Sequence, residues 1–361
     1  MTDTPGLPSS APLPPEIRAI SDAVEVRLRA VIDEEAERWS AIDPDLEAPM
    51  RSLGRLVLGG GKRLRPAFCH WAYVGAGADP SSGATVDAGA AFELLHAFAL
   101  MHDDVMDGSA TRRGIPTIHV EFTGEHRRGA WRGEGRRFGE GVAILVGDLA
   151  GVYADRLLDG APPDARRVWD ELKIELNVGQ YLDVLGTARG GTDLATARRI
   201  ARYKSGKYTI ERPLHLGAAL AGRLDELRPA FSAYGDPLGE AFQLRDDVLG
   251  SFGDAAITGK PVGEDLREGK PTPMLAIAVE RTKAGSPGAA LLARVGAPDL
   301  TDEEIDELQS LLETSGARQR AELTIQALTE QAITAIGTAP VTAEARSALV
   351  ALARYVAARE H

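Results

Sequence analysis

The sequence holds a single cysteine, Cys69, so no disulfide can close within the chain, and no cysteines and histidines stand at the spacing of a zinc site. Aromatic residues make up only 5%, and runs that alternate apolar with polar residues are scarce, which argues against a β-rich core. Positive charge is in the minority. The 41 Lys and Arg face 53 Asp and Glu, a net charge of −12, so nucleic acid is a poor partner unless the basic groups are strongly segregated. Long apolar runs are missing too: Val142 to Ala154 is broken by Asp148 well short of a membrane span, and the N-terminal stretch has no basic segment leading into an apolar one. A reducing, cytoplasmic setting without a membrane span is the expectation.

What is present is helix-forming material. Residues 1–15 combine Pro, Ser, Thr and Gly with almost no periodic apolar content, and are expected to be a disordered tail, because they bury too little to offset the entropy of ordering. From Glu16 onward Ala, Leu, Glu and Arg dominate, and Ile17, Ile20, Val24, Leu28, Val31 and Ile32 recur at helical spacing. Further helical patterns run through 83–106, 137–159, 164–188, 225–250, 302–315, 318–336 and 342–359. The fold class is all-α. Two stretches rich in glycine, Gly124 to Gly141 and Ser251 to Lys270, are expected to be loops, and neither shows the composition shift of a linker. One domain over 16–361 follows.

Two acidic clusters carry the chemistry. In the run from Leu100 to Asp107, Asp103 and Asp107 are four residues apart and share a helix face, while Asp104 points elsewhere and would support its neighbours. Taken alone this is a solvated helix end. But Gln243 is followed by Asp246 and Asp247, again closing an apolar helical pattern. Two acidic helix ends facing each other inside a helical bundle would repel without cations, and Mg2+ suits them because it takes one or two carboxylates and draws its other ligands from water and phosphate oxygens. Basic groups flank the first cluster: Gly59-Gly60-Gly61-Lys62-Arg63-Leu64-Arg65-Pro66 before it, Arg112-Arg113-Gly114 after it. Arg grips phosphate oxygens in a fixed fork and Lys supplies a mobile charge, so an anionic ligand is implied. A Walker A loop is excluded, since Lys260 is followed by Pro261.

The ordered succession of these motifs, with Glu93-Leu94-Leu95-His96, Gly147-Asp148, Gly179-Gln180 and Asp183, Tyr203-Lys204-Ser205, Phe242-Gln243, Gly259-Lys260-Pro261 and Gly269-Lys270, resembles the trans-type polyprenyl diphosphate synthases, most of all geranylgeranyl diphosphate synthases of actinobacterial type. The resemblance implies a single-domain bundle of long helices around an apolar cavity, a homodimer, and Mg2+ as cofactor, with three ions per active site. It implies that Asp103 and Asp107 bind two ions and Asp246 a third, with Asp104, Asp183 and Asp247 in support. Arg112, Lys204, Ser205, Gln243 and Lys260 would hold the allylic diphosphate; Lys62, Arg65, His96 and Arg113 would seat isopentenyl diphosphate. Lys204 and Gln243 acquire these roles only through the resemblance; by themselves they read as an exposed lysine and a helix glutamine.

One departure stands out. Gly250 occupies the place of the final Asp in the common form of the second motif, which puts one metal or water contact in doubt, and Asp254 is a candidate substitute. Phe98 and Ala99, five and four positions before Asp103, are expected to set the floor of the hydrocarbon channel. Small Ala99 leaves room for a geranylgeranyl product, with Leu94 and Leu95 a turn further down. A class I terpene cyclase is the alternative reading, against which the isopentenyl diphosphate seat argues. A non-catalytic subunit of a heteromeric synthase is another, favoured only by Gly250.

Overall fold

The structure is a computed structural model and describes residues 14–112, 114–189, 193–253 and 263–359. The expected tail lies almost wholly outside the described residues, as do Arg113, Asp254 and Lys260. Helix α1 (Pro15–Ser40) starts with proline in its first turn, where no amide partner is lost. After it come α2 (Glu47–Leu58), α3 (Leu64–Gly75) and α4 (Ala84–Asp107). A two-residue hairpin, β1 (Thr111–Arg112) with β2 (Ile115–Pro116), pairs antiparallel and leads into α5 (Ile118–Arg128), α6 (Gly135–Arg156), α7 (Pro163–Arg189) and α8 (Leu194–Ala201). A π-helical segment, Arg202–Glu211, joins α8 to α9 (Arg212–Leu220), and α10 (Leu224–Phe252) follows. The rest comprises α11 (Glu264–Glu268), α12 (Pro273–Arg281), α13 (Pro287–Leu292), α14 (Asp302–Thr314), α15 (Ala317–Gly337) and α16 (Ala343–Ala358). The all-α expectation holds, and the named helical patterns match observed helices to within a few residues.

The expectation for Gly124 to Gly141 is corrected. Helix α5 continues to Arg128 and α6 begins at Gly135, leaving only 129–134 as a turn. Glycine's weak helix propensity, about 1 kcal/mol per residue, is outweighed here by packing. A Cβ on Gly139 would stand 2.1 Å from the His119 carbonyl oxygen, so glycine lets α5 and α6 lie against each other. Ser251 to Lys270 is also corrected in part, since α10 runs through Phe252 and α11 fills 264–268.

One contiguous core runs through the described helices. Helix α4 sits deep within it: Phe92, Leu94, Leu95 and Met101 are essentially inaccessible, each stabilising the fold by roughly 1.5–3 kcal/mol. Among the described helices it alone is long and apolar enough to cross a membrane, but 61% of its most apolar window is buried inside the protein. Its end at Gly108, in a left-handed conformation with φ 67°, delivers the first acidic cluster to the surface of the core.

Candidate active site

Asp103, Asp104 and Asp107 occupy the last turns of α4, where the helix dipole disfavours negative charge. The neighbours supply the missing cations. Lys204 Nζ donates to Asp103 Oδ1 at 3.0 Å and to Asp183 Oδ2 at 2.6 Å, Gln180 donates to Asp103 at 2.8 Å, and Lys270 pairs with Asp107 at 3.2 Å. Arg112, brought back by the hairpin, donates from Nε and Nη2 to Asp104 Oδ1 at 2.8 and 2.6 Å, and lies 3.8 Å from Asp103. Burial pushes the Asp103 carboxyl up, but Lys204, Lys270 and Arg112 outweigh it and leave the group below the ordinary carboxylate range. Asp107 moves the other way, raised by burial that Lys270 only partly offsets.

The second cluster faces the first. A cavity of about 340 Å³ is lined on one side by Asp103, Asp183, Lys204 and Ser205 and on the other by Gln243, Asp246, Asp247 and Lys270. Asp247 is buried, accepts from Gln243 at 2.8 Å, and among the described residues has no hydrogen-bond partner for Oδ2; burial holds its pKa well above the ordinary value. Asp246 is more open and accepts from Arg359 at 2.6 Å. Among the described residues no three acidic, histidine or cysteine side chains already converge as a metal cluster. The two clusters carry separate carboxylates whose present partners are Lys204, Lys270, Arg112 and Arg359, with Gln180 and Gln243.

Lys204 and Ser205 reach this cavity because the chain is π-helical there. The wider turn is held by backbone packed on backbone: a Cβ on Gly179 of α7 would stand 2.5 Å from the Lys204 nitrogen, and one on Gly239 of α10 would stand 2.8 Å from Gly206 Cα. A π-helical stretch at a cluster of chemical groups is a common functional device. Gly250 has its own neighbour: a Cβ there would stand 2.0 Å from Asp265 Oδ2, so the Asp265 carboxylate fills the space beyond Gly250, on the cavity wall. The proposed substitute, Asp254, lies outside the described residues.

The basic groups divide. Arg63, in a left-handed conformation at φ 50°, turns inward, forms a buried ion pair with Glu93 and donates to the Val57 carbonyl at 3.0 Å. Arg65 stacks 4.2 Å from the Tyr208 ring centroid and donates to Thr209 at 3.2 Å. The His96 ring lies 6.1 Å from Tyr208, which gathers Arg65 and His96 on one side of the π-helix. Lys62 feels Asp246 and Arg359 instead. Burial first, and then the Arg359 charge, bring its pKa down to about 8. Phe98 faces α6, where a Cβ on Gly151 would stand 3.5 Å from its ring, and lies 4.5 Å from the His102 ring of its own helix, while half-buried Ala99 shares the Asp103 face of α4.

Sequence reasoning left out Gln180, Tyr208, Asp265, Lys270 and Arg359. Gln180 and Lys270 belong to motifs quoted above. Arg359 gave no signal, since it lies 113 positions from Asp246 and only folding brings it over the Phe242 ring at 3.9 Å.

Comparison with known proteins bears on this arrangement. The family model described as polyprenyl synthetase matches residues 47–312. A geranylfarnesyl diphosphate synthase of Aeropyrum pernix is 31% identical, over 84% of this chain and 92% of its own. A geranylgeranyl diphosphate synthase of Mycobacterium tuberculosis is 33% identical, over 83% of this chain and 80% of its own. Among solved structures, geranylgeranyl pyrophosphate synthase from Corynebacterium glutamicum, complexed with isoprenyl diphosphate and magnesium, superposes with a TM-score of 0.89 at 36% identity, covering 95% of this chain and 99% of that one. With the motifs in order and both acidic clusters on one cavity, the chain belongs to the polyprenyl synthetase family, whose chemistry is prenyl chain elongation.

Proposed function

We propose that the protein condenses isopentenyl diphosphate with an allylic diphosphate, using Mg2+, and releases geranylgeranyl diphosphate. The observation that carries this reading is the single cavity lined by Asp103, Lys204, Gln243 and Asp246, with Lys62 in the field of Asp246 and Arg65 and His96 gathered at Tyr208. Mg2+ fits the donors: hard carboxylates, few on each side, with room for water and phosphate oxygens. Asp103 and Asp107 would hold two ions and Asp246 a third, supported by Asp104, Asp183 and Asp247. When bound, the metal stabilises the negative charge that develops on the leaving diphosphate.

The side chains do the rest. Lys204, Arg112 and Lys260 grip the allylic diphosphate and stabilise its charge as the C–O bond ionises. Ser205 and Gln243 face the reacting end. Lys62, Arg65, His96 and Arg113 seat isopentenyl diphosphate so that its double bond meets the allylic cation, a step that needs alignment more than acid–base chemistry. The departing diphosphate accepts the final proton. Small Ala99, on the face of Asp103, leaves the channel open to a twenty-carbon chain, while Phe98 bounds it toward α6.

A homodimer in the cytoplasm is the setting we infer. Leu145 and Val152 on α6, with Ile174, Val178 and Tyr181 on α7, form exposed apolar lines at helical spacing, suited to a second copy. The testing experiment supplies labelled isopentenyl diphosphate, Mg2+ and dimethylallyl, geranyl or farnesyl diphosphate in turn, and separates the dephosphorylated products by length. A dominant twenty-carbon alcohol supports the reading in full. Another single length keeps the reaction and overturns the reading of Ala99 and Phe98; cyclic hydrocarbons formed without consuming isopentenyl diphosphate overturn the reaction. Asp103→Ala is expected to lower turnover at least about 10³-fold with the fold intact by circular dichroism, since metal-borne charge stabilisation amounts to several kcal/mol.

A further inference from the structure

The turn between α5 and α6 belongs to no part of the site above. His102 on α4 is level with Ile144 and Gly147 on α6: its Nε2 donates to the Ile144 carbonyl at 3.1 Å, and a Cβ on Gly147 would stand 2.5 Å from the ring. Phe98 is level with Gly151, so α6 runs antiparallel to α4. At 1.5 Å per residue, Gly135 lies about 18 Å beyond the His102 level and Asp107 only about 7.5 Å beyond it. The turn therefore projects roughly 10 Å past the carboxylate end of α4.

This projection is built, not loose. Trp131 packs edge-on against Phe138 at 5.2 Å and His126 at 6.0 Å, over buried Phe122. His126 Nε2 donates to the Arg132 carbonyl at 3.1 Å, and Ala130 is held at φ 49°, a conformation that costs a non-glycine residue free energy. Yet Trp131 remains 48% exposed. Around it Arg127, Arg128, Arg132 and Arg137 are exposed and form no ion pair among the described residues. Between Arg127 and Phe138 the only acid is Glu134, in a chain whose net charge is −12.

We propose that this knob docks the protein on an anionic lipid surface, with Trp131 at the headgroup boundary and the exposed arginines on lipid phosphates. Arginines flanking a fixed, exposed tryptophan match a negative bilayer in both charge and polarity. A convex projection meets a broad surface more readily than it fills a groove. A second copy is the weaker occupant, because a two-fold contact through the same patch opposes arginines to arginines. The proposal stands on the turn alone and does not depend on the catalytic reading. For an enzyme handling amphiphilic prenyl diphosphates, docking here sets the active-site end of α4 beside the membrane.

The test floats the full-length protein with vesicles of phosphatidylcholine alone or of phosphatidylcholine and phosphatidylglycerol in equal parts, at low and high salt. Flotation with the anionic vesicles only, abolished by salt, is expected, with a blue shift in tryptophan fluorescence that Trp131→Ser removes. Combined Arg128→Glu and Arg132→Glu should weaken partitioning by about 25-fold or more, at roughly fivefold per charge. Turnover of soluble short substrates should match the wild type, which also verifies folding. Failure of the wild type to float, or equal flotation of the double variant, overturns the proposal. So does a change of oligomeric state in the variant by sedimentation, which would assign the patch to a second copy. Salt-sensitive binding to polyglutamate without flotation overturns it in favour of an acidic protein.

Discussion

The same substitution, glycine to alanine, is expected to act in opposite directions at Gly239 and Gly337. Both lie within helices, where alanine is favoured by up to about 1 kcal/mol. Gly337, exposed in the last turn of α15, has no described atom beyond its own helix backbone and chain neighbours within 4 Å of the added Cβ, so Gly337→Ala should stabilise by about 0.5–1 kcal/mol. At Gly239 the new carbon would stand 2.8 Å from Gly206 Cα, with further backbone atoms at 2.9 Å. Ordinary contact begins near 3.4 Å, so α10 and the π-helix must separate by about 0.6 Å (3.4 − 2.8), and backbone cannot rotate aside. Overpacking of this kind costs about 1–3 kcal/mol, which leaves a net loss of about 0–2 kcal/mol once the helical gain is subtracted. Gly206 is two residues from Lys204, so the shift should also reach the active site. A displacement of 1 Å costs on the order of 10²-fold in rate, so 0.6 Å implies roughly tenfold in turnover. Urea denaturation and steady-state kinetics on the two variants decide the matter. If Gly239→Ala gains as much stability as Gly337→Ala and turns over normally, the close approach does not hold Lys204 in place.

Three further outcomes are expected. Ala99→Phe should shift the product to a shorter prenyl chain, read by product chromatography; an unchanged distribution would place the channel floor elsewhere. Lys62, with its pKa brought down to about 8, loses its charge as pH rises through that value, so the KM for isopentenyl diphosphate should climb by about tenfold per pH unit above pH 8. Lys62→Arg should flatten that rise, since arginine stays protonated, and a KM that climbs equally in both proteins would disconnect Lys62 from the substrate. Arg63→Ala should destabilise by about 3–5 kcal/mol by stranding buried Glu93, measured by chemical denaturation, with a loss under about 1 kcal/mol contradicting the buried pair.

Much of the site was legible because its chemistry is carried by short motifs on long helices. Asp103 and Asp107 had to share a face of α4 once that segment was helical, and Gln243 and Asp247, also four apart, meet by the same rule. The errors arose where glycine was read as loop. From Gly124 to Gly141, glycine serves close helix packing, and propensity yields to contacts that only the neighbouring helix supplies. The π-helical turn at Lys204 was equally hidden, because it depends on Gly179 and Gly239 from two other helices rather than on local sequence.

The sequence by itself determined the helical class, the two acidic helix ends and the stock of cations around them, because periodicity and residue type act over a few turns. Tertiary structure decided which cation serves which acid. Lys62, Arg63 and Arg65 stand within four positions, yet Arg63 is spent inside the core on Glu93 while Arg65 turns to Tyr208. Arg359 crosses the chain to hold Asp246. Such pairings are set by direction and distance in three dimensions, where a turn of φ at Arg63 or the end of α16 outweighs any spacing along the chain.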